Sequence, residues 1–117
     1  MSIKHIHEIE SSIVKDAVGV TRKMLIPLEE APNFIMRSFT IHPGSSMPNH
    51  TSRVEHEQFV LNGQARIGIG SEVFEVKKGS VISIPAEVTH WYTNAGDEPF
   101  VFLCLIPNKQ DSTTPLQ

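Results

Sequence analysis

Three histidines carry the chemistry this sequence offers: His50, His56 and His90. A neutral imidazole is a borderline ligand. It suits Zn, Ni, Cu and Fe and, less tightly, Mn. Three of them converging in an apolar interior make a site for a divalent ion and leave positions open for water or a substrate. The first two lie in GSSMPNHTSRVEHEQFVLNG, Gly44 to Gly63. Residues two apart share one face of a strand, so His50, Ser52 and His56 point the same way if one strand runs through the stretch. The expectation is a single histidine-bearing strand, entered at Gly44 and Pro48 and closed by the hairpin dipeptide Asn62-Gly63. The same parity turns Glu55 and Glu57 outward and makes His56 the ligand. It also sends Gln58 inward after His56. A buried amide needs partners, so Gln58 is expected to support the metal or touch a ligand.

His90 lies in GSVISIPAEVTHWYTN, Gly79 to Asn94. Here Val81 to Ile84 reads as a strand stopped by Pro85, and Thr89 to Thr93 as the strand that carries His90. Alternation puts Val88 and Tyr92 on the histidine's face. Phe34 to Ile41, FIMRSFTI, and Phe100 to Ile106, FVFLCLI, are the strongest strand signals, β-branched and aromatic and partly apolar on both faces. Tyr92, Phe39, Phe102 and Cys104 are the expected pocket walls. Cys104 has no histidine partner visible in sequence and reads as a small buried hydrophobe. Arg37 either holds an anionic substrate or pairs with an acid at the barrel surface.

The remaining segments are short. KHIHEIE near the start alternates and suits an outer or edge strand, with His5 and His7 as surface residues. Val18 to Leu28 reads as a strand ended by Pro27, and Glu29 to Asn33 as a turn. His42-Pro43-Gly44 is a turn. Gln64 to Gly70 and Val73 to Val76 are strands joined at Gly70-Ser71. Pro107 onward is polar and expected to fray. Turn signals at short intervals and no sustained helical period predict an all-β sandwich or barrel.

The two histidine stretches together resemble the paired motifs of the cupin superfamily. In the first, Gly44, His50 and Gly63 match, Ser52 stands where the second histidine belongs, and His56 stands where the glutamate belongs. In the second, Gly79, Pro85, His90 and Asn94 match, and Glu87 replaces the middle glycine. EHEQFVLNG, LIPLEEAPNFIMRSFTI and VFLCLIP also look like the small single-barrel bacterial cupins whose manganese is held by four histidines. The likeness covers about Val18 to Pro107. It implies a double-stranded β-helix, a jelly-roll barrel with a metal and a pocket in its mouth. It also implies a divalent transition metal (Mn, Fe, Ni or Zn) on His50, His56 and His90, beside Ser52. The implied activity is of oxygenase type or another metal-dependent small-molecule chemistry; the alternative is a non-catalytic ligand-binding cupin. Single-barrel cupins usually dimerise, and the alternating N-terminal segment is expected to pair with a partner's edge strand.

A length of 117 residues suits one domain with one barrel core. The net charge of -3, with no basic run, argues against nucleic acid and acidic membrane surfaces as main partners. One cysteine excludes an internal disulfide framework. No apolar run is long enough to span a membrane, and MSIKHIHEIESS lacks the apolar core of a signal peptide. A reducing cytoplasm is the expected location.

Overall fold

A computed structural model describes residues 1–108 and the backbone of residues 114–115. The described chain is all-β, with one 3-10 turn at Ile6–Glu8 as its only helical element. The strands are β1 (Ser11–Ile13), β2 (Val20–Ile26), β3 (Phe34–Ile41), β4 (Ser46–Thr51), β5 (His56–Asn62), β6 (Gln64–Ile69), β7 (Glu72–Lys77), β8 (Val81–Ile84), β9 (His90–Thr93), β10 (Phe100–Pro107) and β11 (Thr114–Pro115). They form two antiparallel sheets, ordered β1-β2-β3-β10-β5-β8 and β11-β4-β9-β6-β7. This is the jelly roll that the cupin resemblance implied.

The two most apolar stretches are the spine of the six-stranded sheet. β3 and β10 pair along their whole length, from Ile41 opposite Phe100 to Phe34 opposite Pro107. Strand alternation then sends Phe100, Phe102, Cys104 and Ile106 inward, where each is buried. Ile41, Ile67, Val60, Ile84 and Tyr92 fill the space between the sheets at 1 % exposure or less. Each fully buried side chain of this size contributes about 1.5–3 kcal/mol, so the interior supplies the main stabilising term.

The second motif's asparagine is structural. Asn94 is completely buried, and its amide donates to the carbonyls of Ile41 and Glu98, both at 2.8 Å. Its oxygen accepts from Gly96 N–H at 3.0 Å. Its backbone carbonyl accepts from Gly44 N–H at 2.8 Å, which ties the ends of the two histidine stretches together. Gly63 is required by space as well as by its left-handed φ of 79°: a Cβ there would stand 2.4 Å from the Pro99 carbonyl oxygen.

Two expectations change, and a third falls mostly outside the described residues. The stretch Gly44–Gly63 is two strands, not one: β4 ends at Thr51, β5 begins at His56, and they belong to different sheets. Inward parity nevertheless runs on through the corner, where Ser52, Val54, His56, Gln58 and Val60 are all buried and Arg53, Glu55, Glu57 and Phe59 exposed. A register shift in β4 between Met47 and His50 sets that parity, because both residues turn toward the interior. The N-terminal KHIHEIE is a 3-10 turn and not a strand. Glu8 N–H bonds back to the His5 carbonyl at 2.9 Å, and His7 N–H to His5 Nδ1 at 3.1 Å, so local bonds win over pairing. The edge strand is Ser11–Ile13, a few residues later. The expected fraying after Pro107 falls largely on residues 109–113 and 116–117, outside the described residues; Thr114–Pro115 pairs with Thr51 and His50 of β4.

Candidate metal and ligand site

His50 on β4 and His90 on β9 are directly opposed across the ladder, with ring centroids 4.1 Å apart. His56 comes from β5 in the other sheet and meets His90 edge-on, centroids 5.3 Å apart. The three imidazoles thus converge from both sheets.

Their hydrogen bonds select the tautomer. His50 Nδ1–H donates to the Pro48 carbonyl at 2.9 Å, and His90 Nδ1–H to the Val88 carbonyl at 3.2 Å. A carbonyl only accepts, so each of these rings must keep its proton on Nδ1 and present a lone pair at Nε2. His56 Nδ1 faces Cys104 Sγ at 3.5 Å. The Nε2 atoms of His56 and His90 are buried without a partner. All three rings are held neutral. Burial, and then the Arg37 charge, lowers His56 to about 3; burial, and then His50, lowers His90 to about 4. Burial lowers His50 as well. A neutral imidazole whose Nδ1 is bonded to the protein and whose Nε2 is free is the form that ligates a metal. The donor chemistry therefore fits a divalent ion. The rings stand short of a closed cage: among the described residues no three His, Cys, Asp or Glu groups are drawn close enough to hold an ion as placed.

The imidazoles line a cavity of about 610 Å³. Phe39, Phe102 and Tyr92 give it a near-parallel aromatic wall, with Phe39–Phe102 centroids 5.4 Å apart at 18° and Tyr92–Phe102 centroids 4.9 Å apart at 17°. Gln58 donates to the Tyr92 hydroxyl at 2.7 Å, while its own Oε1 is buried and unpartnered. Burial raises the Tyr92 phenol and the Cys104 thiol, so both stay protonated at neutral pH. Arg37 reaches inward from β3 and donates to Cys104 Sγ at 3.2 Å.

The sequence singled out His50, His56, His90, Gln58, Tyr92, Phe39, Phe102 and Cys104, and all eight line this one cavity. Ser52 does not. It is buried at the β4–β5 corner, where its carbonyl accepts from Glu87 N–H at 2.8 Å, and it is not part of the wall. The sequence reading missed the rim, Ile13 to Ala17 with Arg22 and Met47. A short polar segment such as Lys15-Asp16 carries no signal that it will fold over a barrel mouth. Four buried side-chain atoms lack any partner among the described residues: Arg37 Nε, His56 Nε2, Gln58 Oε1 and His90 Nε2. Every one belongs to a residue of this cavity. Native interiors pair such groups, so four in one pocket mark a site built for something else to bind.

The family model for the cupin domain matches residues 37–106. The chain belongs to the cupin family. Among curated proteins, this cupin is 29% identical over 99 residues to the uncharacterized protein MJ1618 of Methanocaldococcus jannaschii, covering 83% of this chain and 78% of that one. It is 33% identical over 70 residues to oxalate decarboxylase OxdC of Bacillus subtilis, and the match covers 55% of this chain but only 18% of that enzyme. Among solved structures, it superposes on the polyketide cyclase RemF from Streptomyces resistomycificus with a TM-score of 0.91 and 25% identity, over 100% of this chain and 86% of that one. A cupin-2 domain protein from Rhodospirillum rubrum gives a TM-score of 0.86 at 21% identity, over 99% of this chain and 80% of that one, a likeness of fold.

Proposed function

We propose that this cupin is a metal-dependent enzyme acting on a small organic molecule, with a divalent transition metal (Mn, Fe, Ni or Zn) held by His50, His56 and His90. The observation that carries the reading is the pair of buried, unpartnered Nε2 atoms on His56 and His90, in rings whose Nδ1 atoms face protein partners. When bound, such an ion acts as a Lewis acid toward a ligand oxygen or toward O₂. The chain's own residues supply the rest. The apolar wall excludes water, the Gln58–Tyr92 bond fixes the phenol, and the open Gln58 Oε1 offers an acceptor to a ligand hydroxyl or amine. Reaction types in keeping with this site are oxygenation and, from the likeness to the polyketide cyclase RemF, ring closure.

A second reading is favoured by one observation. Among the described residues lining the cavity, Asp16, exposed at the rim, is the sole carboxylate, and they form no acid/base pair beside the histidines. A non-catalytic ligand-binding cupin, its metal an anchor for the ligand, needs none. Turnover separates the two. Metal-loaded protein should consume an enolisable polyketide-like or catecholic substrate, with or without O₂ uptake, and His56→Ala should abolish it. Binding that leaves every such ligand unchanged would favour the second reading.

The proposal extends to a homodimer. Its support is the outer face of the six-stranded sheet, where Phe59 and Val81 are paired neighbours 43% and 79% exposed. A reducing cytoplasm completes it and suits the single free thiol. No helix among the described residues is long and apolar enough to cross a membrane.

A further inference from the structure

Arg37 is a buried cation with no anion beside it among the described residues. It is 8% exposed. One terminal nitrogen donates to the neutral Cys104 thiol, the guanidinium lies 5.0 Å from the centre of the Phe39 ring, and Nε has no partner. The ion pairs recorded among the described residues, Lys4–Glu30 and Arg66–Glu75, do not involve it. Burying a charge without a counter-charge is strongly unfavourable, and an anionic ligand would supply the missing partner. A divalent ion on the three imidazoles would add positive charge to a wall that already carries Arg37, and no counter-charge. Among the described residues the carboxylate lining the cavity, Asp16, is exposed at the rim, which Lys15 and Arg22 also line.

The rest of the cavity limits the anion. Its volume of about 610 Å³ is far more than a two-carbon acid fills. Phe39, Phe102 and Tyr92 form a row of stacked aromatic rings, an apolar wall beside the guanidinium. A dianion with no apolar surface would leave that wall wet. A flat body with a single acidic group satisfies both parts.

We propose that the cavity takes a small organic monoanion, a carboxylate on a flat apolar body, with the carboxylate on Arg37 and the body against Phe39 and Phe102. This rests on the cavity being a small-molecule site and does not rest on the metal. Arg37 is then a specificity-determining residue: it selects the acid over its neutral isostere.

Calorimetry with 1-naphthoate, 1-naphthamide and acetate tests this, on chelator-treated and on zinc-loaded protein. The expected result is naphthoate tighter than naphthamide by about tenfold or more in both metal states, as for a hydrogen bond to a charged group. Acetate should bind weakly, for want of the apolar body. Arg37→Gln should remove the acid preference, and without ligand it should melt at a higher temperature than wild type. Naphthoate should raise the melting temperature of wild type and not of that variant. Equal affinity for acid and amide would overturn the proposal, and so would an acid preference that survives Arg37→Gln or appears only with zinc. If Arg37→Gln fails to fold, the comparison in metal-free wild type decides. Failure to retain any metal would sink the metal reading and leave this result standing.

Discussion

Cys104 Sγ lies 3.2 Å from an Arg37 nitrogen and 3.5 Å from His56 Nδ1, so one thiol joins the buried cation to a histidine of the candidate metal site. Sulfur accepts from Arg37 and from Gln58 Nε2, the latter at 3.5 Å. Ligation through His56 Nε2 requires the Nδ1 proton to be directed at this sulfur, which leaves Nε2 as the lone pair. Cys104→Ala should therefore weaken metal binding by about 10- to 100-fold, the usual cost of losing a partner to a ligating histidine. Cys104→Ser, which keeps an acceptor, should recover part of it. Competition with a chromophoric chelator measures both. Unchanged affinity in Cys104→Ala would show that the thiol does not orient His56.

The flanking glutamates give a sharp contrast. His56 is 5% exposed and lines the cavity, whereas Glu55 and Glu57 are exposed on the opposite face. Glu57→Gln should leave metal content unchanged, and His56→Ala should strip it. Elemental analysis of the two variants checks this, and metal loss in Glu57→Gln alone would reverse the ligand assignment.

Stability of the metal-free protein should depend on pH below neutrality. In the unfolded chain His56 and His90 titrate near 6.5; in the fold burial, with Arg37 and neighbouring histidines, lowers them to about 3 and about 4. Between these limits the unfolded state binds more protons, so stability falls as pH falls. The contribution is complete above pH 6.5, is lost progressively below it, and is gone by about pH 4 for His90 and about pH 3 for His56. Each histidine steepens the slope by up to about 1.4 kcal/mol per pH unit. Urea melts from pH 8 to pH 5 should show a falling midpoint below about 6.5. A flat profile would mean the two rings are protonated in the native state.

The outer sheet face is open to a direct test. Val81→Lys places a charge beside Phe59 without touching the cavity. It should shift the protein from dimer to monomer in light scattering at micromolar concentration, with its melting temperature little changed. A wild-type monomer would refute the dimer.

Much of the fold was legible because its signals are local. Phe34–Ile41 and Val81–Ile84 were read at their observed bounds, since β-branched and aromatic runs end there in Pro, Gly or polar turns. The inward direction of His56 and Gln58 followed from alternation alone. What could not be read was long-range. Nothing in GSSMPNHTSRVEHEQFVLNG says that the chain changes sheets between Thr51 and His56, because the alternation of buried residues continues through the corner. Ser52 keeps the parity of a ligand position yet is absent from the cavity wall. Arg37 was visible as a charge in an apolar strand, but its lack of a counter-charge among the described residues is a property of the packed interior. The histidine at position 5 looked like part of an alternating strand and instead caps a turn, because His5 Nδ1 is close enough to accept from His7 N–H.

The central claim is that His50, His56 and His90 hold one divalent ion. The most direct measurement is anomalous scattering at the metal edge, on crystals of protein purified without chelators or an affinity tag and then loaded with zinc. The expected result is a single peak within about 2.0–2.3 Å of one nitrogen from each of the three histidines, with no glutamate oxygen in the shell. An empty cavity after loading, or an ion held by Glu57 or Asp16 instead, would contradict it.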